Sequence, residues 1–226
     1  MFGQKNTLII LLTPHALEIF ANDSGNVSTI TIPSSVVNNL EVIDRDELYA
    51  LISTWCKSIT YQSTEIIWLL SDTVIFDQIF PEKESERWDT MTVQFLDTVP
   101  FEEVISRVYN PVEGRHVVAT NQDLINALKH GFSVQGYITQ AVVPAKLVGI
   151  TSPLNAESAK KVMSSMSQIL RDNLVTPDNE KSVQPPEIAS SPNQVVVKKP
   201  KSQLPLLLSV FGVLVAILLI VIYLNK

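Results

Sequence analysis

RHVVATNQDLINALKHGFSVQGYITQAVVPAKLVGI, residues 115–150, is the stretch that decides the fold class. His116-Val117-Val118-Ala119 reads as a strand, and Thr120 after it carries the hydroxyl that a helix N-cap uses. Leu124, Ile125 and Leu128 follow at helical spacing, with Gly131 as the stop. Tyr137 to Val143 supplies another strand. Strand, helix and strand in that order predict a parallel crossover, and so an α/β domain.

Toward the N-terminus the pattern changes to short strands. Thr7 to Leu12 is an apolar run, Leu17 to Ala21 follows Thr13-Pro14-His15, and Val27 to Ile32 follows the turn Asn22-Asp23-Ser24-Gly25-Asn26. Connections this short predict an antiparallel meander. Asp44 with Glu47 three residues on is a helix start, and Leu48, Leu51, Ile52, Trp55 and Ile59 share one face of that helix. Glu65 to Leu70 reads as a buried strand and Thr73 to Phe80 as a second. At the far end Ala159, Val162, Met163, Met166, Ile169, Leu170 and Leu174 line one face of a helix that stops before Pro177, with the methionines as core filler. A meander, a helix and then parallel units describe a single ribonuclease-H-like lobe with a mixed sheet, over residues 1–175.

Two further segments follow. Residues 176–203, TPDNEKSVQPPEIASSPNQVVVKKPKSQ, carry Pro177, Pro185, Pro186, Pro192 and Pro200 and few large apolar groups. Such a segment buries too little surface to fold alone and reads as a flexible linker. Residues 204–224 have no charged side chain; about 21 residues make roughly 30 Å of helix, the thickness of a bilayer core. Lys198, Lys199 and Lys201 flank this segment on its N-terminal side, which predicts a single-pass protein whose N-terminal domain is cytoplasmic. The start MFGQKNTLII lacks a signal-peptide pattern, so the expectation is a tail-anchored chain. A lone Cys56 fits a reducing compartment, and there Asn22-Asp23-Ser24 and Asn26-Val27-Ser28 are turn residues rather than glycan acceptors. A formal charge of −6, with no basic stripe outside those lysines, excludes nucleic acid as a partner.

The motifs MFGQKNTLII, WLLSDTVIFDQIFPEKESERW, VPFEEV and the 115–150 stretch, in that order, resemble the first lobe of the PilM family. Those are actin-like proteins of type IV pilus assembly; the secretion relatives of the GspL type look similar and also carry a membrane span. The resemblance runs over residues 1–174. It implies an actin-like fold at the inner membrane and, as in PilM, a groove that receives a short cytoplasmic peptide of a membrane partner. Trp88, Phe95 and Phe101 are candidate partner-surface residues, with the core of a small subdomain as their other reading.

The family's nucleotide chemistry does not carry over. Actin-like ATPases hold phosphate on a Gly-rich, Asp-opened turn between the first two strands. The matching turn here, Leu11-Leu12-Thr13-Pro14-His15-Ala16, has neither residue, and Pro14 lacks an N–H. The linker and apolar segment stand where the second lobe would be. His15, His116 and His130 lack metal-ligand spacing, Cys56 falls on the core side of its helix, and Asp44, Asp46 and Glu47 are explained as capping residues. The expectation is no enzyme and no cofactor or metal. The chain is read as a membrane-anchored scaffold or adaptor for pilus or type II-like secretion proteins. The alternatives are a nucleotide-binding regulator that holds its ligand across a homodimer of half-lobes, and a generic tail-anchored adaptor.

Overall fold

Every side chain from Leu8 to Leu12 is buried, as an unbroken apolar run requires of a strand covered on both faces. This strand, β1 (Thr7–Thr13), is the middle of a five-stranded sheet. The computed structural model describes residues 7–21, 25–59, 65–109, 114–150 and 153–175. β2 (Ala16–Ala21) pairs antiparallel with β1, and β3 (Val27–Thr31) pairs antiparallel with β2, which is the predicted meander. A small hairpin of β4 (Val37–Asn38) and β5 (Glu41–Val42) leads into α1 (Arg45–Ser58). Asp44 caps α1, its Oδ1 accepting from the Glu47 N–H at 2.9 Å. β6 (Glu65–Leu70) then lies parallel to β1.

A second sheet follows. β7 (Phe76–Pro81), α2 (Trp88–Thr98), β8 (Val104–Tyr109) and β9 (Gly114–Asn121) form an antiparallel set in the order β7-β9-β8. α3 (Gln122–Ser133) returns the chain to the first sheet, where β10 (Ile138–Pro144) lies parallel to β6. α4 (Ala156–Ser164) and α5 (Met166–Arg171) complete the described chain. The larger sheet has the order β10-β6-β1-β2-β3, with β1, β2 and β3 each antiparallel to the next and β6 and β10 parallel to β1. That is the ribonuclease-H-like arrangement expected from the sequence.

Side-chain alternation divides two cores. Leu8, Ile10, Leu12, Ile66, Trp68 and Leu70 face α1, α3 and the smaller sheet. Ile9, Leu11, Ile67, Leu69 and Val143 face Ala159, Val162 and Ile169 of α4 and α5. Met163 and Met166 pack at the edge of this second core, as filler.

Five local expectations are corrected. β9 and β10 belong to different sheets, so the 115–150 unit is a connection between sheets; the parallel neighbours are β1, β6 and β10. The cap of α3 is Asn121, whose Oδ1 accepts from the Asp123 N–H at 2.8 Å. Thr120 is instead a fully buried β9 residue that donates its hydroxyl to the Val74 carbonyl at 2.7 Å. Gly131 does not stop α3: it lies within the helix, and a Cβ there would sit 2.6 Å from Ile52 Cδ1, so its smallness serves the approach of α1. The stretch from Thr73 to Phe80 is a 3₁₀ turn followed by an edge strand, with Asp77, Gln78 and Ile79 exposed rather than buried. The last helix breaks at Ser165, and a single stripe drawn through the break misplaces Leu170, which is 49% exposed. The predicted linker, the 204–224 segment and Lys198, Lys199 and Lys201 lie outside the described residues, among which no helix is long and apolar enough to cross a membrane.

Candidate functional site

The β4–β5 turn places Asn39 and Leu40 at φ 48° and 66°, the left-handed pair that a tight two-residue hairpin demands. Asn adopts this region readily and Leu does not. Leu40 is held there by burial and by the Asn121 side chain, whose Nδ2 donates to the Leu40 carbonyl at 2.9 Å. Asn121 therefore caps α3 with one end of its amide and pins the hairpin with the other. Beside it, the segment before β8 is tied to α3 by the Gln122 N–H, which donates to the Glu103 carbonyl at 3.0 Å. Phe101 in that segment packs edge-on against Phe76, ring centroids 5.6 Å apart.

These three pieces enclose a cavity of about 410 Å³ lined by Glu41, Val42, Phe101, Glu102, Glu103, Asn121 and Asp123. Its walls come from the two-stranded β4–β5 hairpin, from residues 101–103 leading into the smaller sheet, and from the junction of β9 and α3. Glu41, Glu102, Glu103 and Asp123 make it anionic, and Phe101 and Val42 are the apolar part of its lining. Arg45 stands at its rim and donates Nη2 to both Asp123 oxygens, at 2.7 and 2.9 Å. The hydrogen bond to Asp123 raises the Arg45 pKa above its ordinary value. An arginine in the first turn of a helix opposes the helix dipole, and the pairing with the first turn of α3 offsets that.

The three aromatic residues singled out in the sequence differ in exposure. Phe101 is 5% exposed and buried against Phe76, so it is a core residue whose edge reaches the cavity. Trp88 is half-buried, donates Nε1 to the Pro81 carbonyl at 3.1 Å and lies 5.0 Å beneath the Arg115 guanidinium. Phe95 is half-buried against the core. Sequence reasoning passed over the acidic residues of the groove. Glu102 and Glu103 were in view within VPFEEV, but Glu41 and Asp123 join them only through the fold.

The carboxyl ends of parallel strands, where open α/β sheets commonly hold ligands, carry the β1–β2 turn. It is a two-residue connection with Thr13 paired to Ala16, and the Thr13 hydroxyl donates to the Ala16 carbonyl at 3.0 Å. Nearby, the hydroxyls of Ser71 and Thr73 bond to each other at 2.8 Å. No glycine in this turn lets a phosphate approach the backbone. The histidines lie apart: His15 is exposed in the turn, His130 stacks on Tyr49 at 5.4 Å, and His116 Nε2 meets Asp77 Oδ2 at 2.8 Å. Lys146 Nζ donates to the same Asp77 oxygen. Burial pushes the Asp77 carboxyl up, and Lys146 and His116 more than offset it, leaving it below the ordinary carboxylate range. Burial pushes the Cys56 thiol up to about 11, against a hydrogen bond from Tyr137, which disfavours the thiolate.

No family model and no curated protein matches the chain. Among solved structures it is similar to the PilM–PilN type IV pilus biogenesis complex, at TM-score 0.44 and 14% identity over 64% of this chain and 48% of that one. The likeness is one of fold. The chain is likewise similar to the cytoplasmic domain of EpsL, an inner-membrane component of the type II secretion system of Vibrio cholerae. There the TM-score is 0.41 and the identity 15%, over 66% of this chain and 60% of that one. A Bacteroides thetaiotaomicron protein with an actin-like ATPase fold gives 0.33 and 12%, over 61% and 52%. The chain thus spans 48% to 60% of the length of these three structures.

Proposed function

We propose that this chain is a non-catalytic, membrane-anchored scaffold of an inner-membrane pilus or type II-like secretion assembly, and that it docks a short segment of a partner in the groove between the β4–β5 hairpin and the segment before β8. The observation that carries the reading is the groove itself: four acidic side chains beside Val42 and Phe101, with walls from the β4–β5 hairpin, the segment before β8 and the start of α3. The order of motifs along the sequence supplies the class of apparatus. An extended segment with one apolar anchor and a basic residue would cover Val42 and the edge of Phe101 and meet Glu102, Glu103 and Asp123. Residues 204–224, read as an inner-membrane span with Lys198, Lys199 and Lys201 at its cytoplasmic edge, would hold this surface near partners in the same bilayer. Anchoring of that kind raises the effective concentration without new contacts.

The test is charge reversal in the full-length protein. Glu102→Lys with Glu103→Lys is expected to abolish co-purification of membrane partners while leaving the melting temperature within a few degrees. Undiminished partner recovery would place docking elsewhere. Titration of the same protein with magnesium-ATP separates the regulator reading: micromolar binding would replace the scaffold account with that one.

A further inference from the structure

The last described residues are gripped by the smaller sheet. Arg107 and Tyr109, next-but-one neighbours on β8, share a face with His116 and Asp77. Arg107 donates Nη2 to the Arg171 carbonyl at 2.7 Å and Nη1 to the Asn173 carbonyl. Tyr109 donates its hydroxyl to the Asp172 carbonyl at 2.9 Å. Three successive carbonyls at the end of α5 are thus taken by one strand. A cation suits that place, because the end of a helix carries the negative pole of its dipole. The Arg107 guanidinium lies 5.7 Å from the Tyr109 ring centroid, which orders the two donors together.

The same residues are held from the other side by the larger sheet. The Leu174 N–H donates to the Val142 carbonyl at 2.8 Å, and the Val142 N–H donates to Asn173 Oδ1 at 2.8 Å. Residues 171–175 therefore form a strap that bridges β8 and β10. Lys146, just after β10, adds a second tie to the same face of the smaller sheet through Asp77.

β8 joins this strap to the groove. Glu103, immediately before β8, lines the cavity and accepts from Gln122; Tyr109 at the other end grips the strap. Six residues of strand span about 20 Å at about 3.3 Å each. The strand is paired with β9 along its whole length. We propose that β8 couples the two ends, so that release of the strap widens the docking groove and a closed strap holds it in register. The predicted tether begins at residue 176, directly after the strap, so the position of the body relative to the membrane becomes an input to docking. This deepens the docking reading and rests on it for its purpose. Its test uses no partner, so the two can fail separately.

The experiment is hydrogen exchange on the full-length chain in detergent micelles, comparing wild type with Arg107→Met, Tyr109→Phe. The expected result is exchange at least about tenfold faster at the Leu174 amide, the loss expected for hydrogen bonds to a charged donor, together with about threefold faster exchange at the Gln122 amide. The β6 amides should keep their protection. Faster exchange at Leu174 with no change at Gln122 overturns the coupling, and no change at Leu174 overturns the strap. If the β6 amides also lose protection, the double variant has disturbed the core, and Tyr109→Phe alone decides. With β6 intact it should speed Leu174 and Gln122 in parallel, and a normal rate at either overturns the proposal.

Discussion

In the five-stranded sheet the side chains of β1 and β6 alternate between two apolar cores, and nearly every one is fully buried. The three-stranded sheet instead turns one face toward polar partners, with Asp77, His116, Arg107 and Tyr109 reaching Lys146 and the carbonyls of residues 171–173. Burial of apolar area is non-directional and tolerates small shifts, whereas hydrogen bonds between sheets fix orientation and break singly. The larger sheet is thus built for stability and the smaller for a set position. The groove lies beside the smaller sheet, between the segment before β8, the start of α3 and the β4–β5 hairpin.

The sharpest way to break this contrast is Trp68→Ala in β6. Trp68 is 1% exposed, packs edge-on against Phe132 at 5.3 Å and donates Nε1 to the Thr139 hydroxyl at 3.1 Å. The expected loss is about 3–5 kcal/mol by chemical denaturation, enough to unfold the domain at moderate temperature. Asn121→Ala should cost less, about 2 kcal/mol, from the lost cap and the lost hold on Leu40. Its signature would be local: faster proteolysis at the β4–β5 hairpin with the larger sheet intact.

Asp77→Asn should cost least, about 1 kcal/mol, and its effect depends on pH. The folded-state pKa of Asp77 is lowered, so its contribution is present above the unfolded carboxyl value of about 3.9 and fades as pH falls through the folded value. The denaturation midpoints of wild type and variant should therefore differ at neutral pH and converge in acid. A difference that grows on acidification would show that Lys146 and His116 do not stabilise the carboxylate.

The larger sheet was legible in sequence because burial on both faces leaves unbroken apolar runs, as at residues 8–12 and 66–70, and because Asp44 and Glu47 mark the start of α1 locally. The smaller sheet was less so: β8 was not read as a strand, the polar exposed face of β7 was read as buried, and no local pattern states which sheet a strand joins. The 115–150 unit reads as strand, helix, strand in either topology. Thr120 and Asn121 are adjacent and both able to cap, and the choice is made by Val74, whose carbonyl takes the Thr120 hydroxyl. The groove was half legible: Phe101, Glu102 and Glu103 lay inside a noted motif, but Glu41 and Asp123 meet them only after α3 and the hairpin are placed.

The central claim is that the groove between the β4–β5 hairpin and the segment before β8 is the docking surface. Site-specific photo-crosslinking in native membranes tests it most directly, with a photoreactive residue at Glu102 in the groove or at Val93, an exposed position on α2. The account predicts a discrete adduct from position 102 that disappears when Asp123→Lys is added, and none from position 93. The same adducts from both positions, or an adduct at 102 that survives the charge reversal, would contradict it.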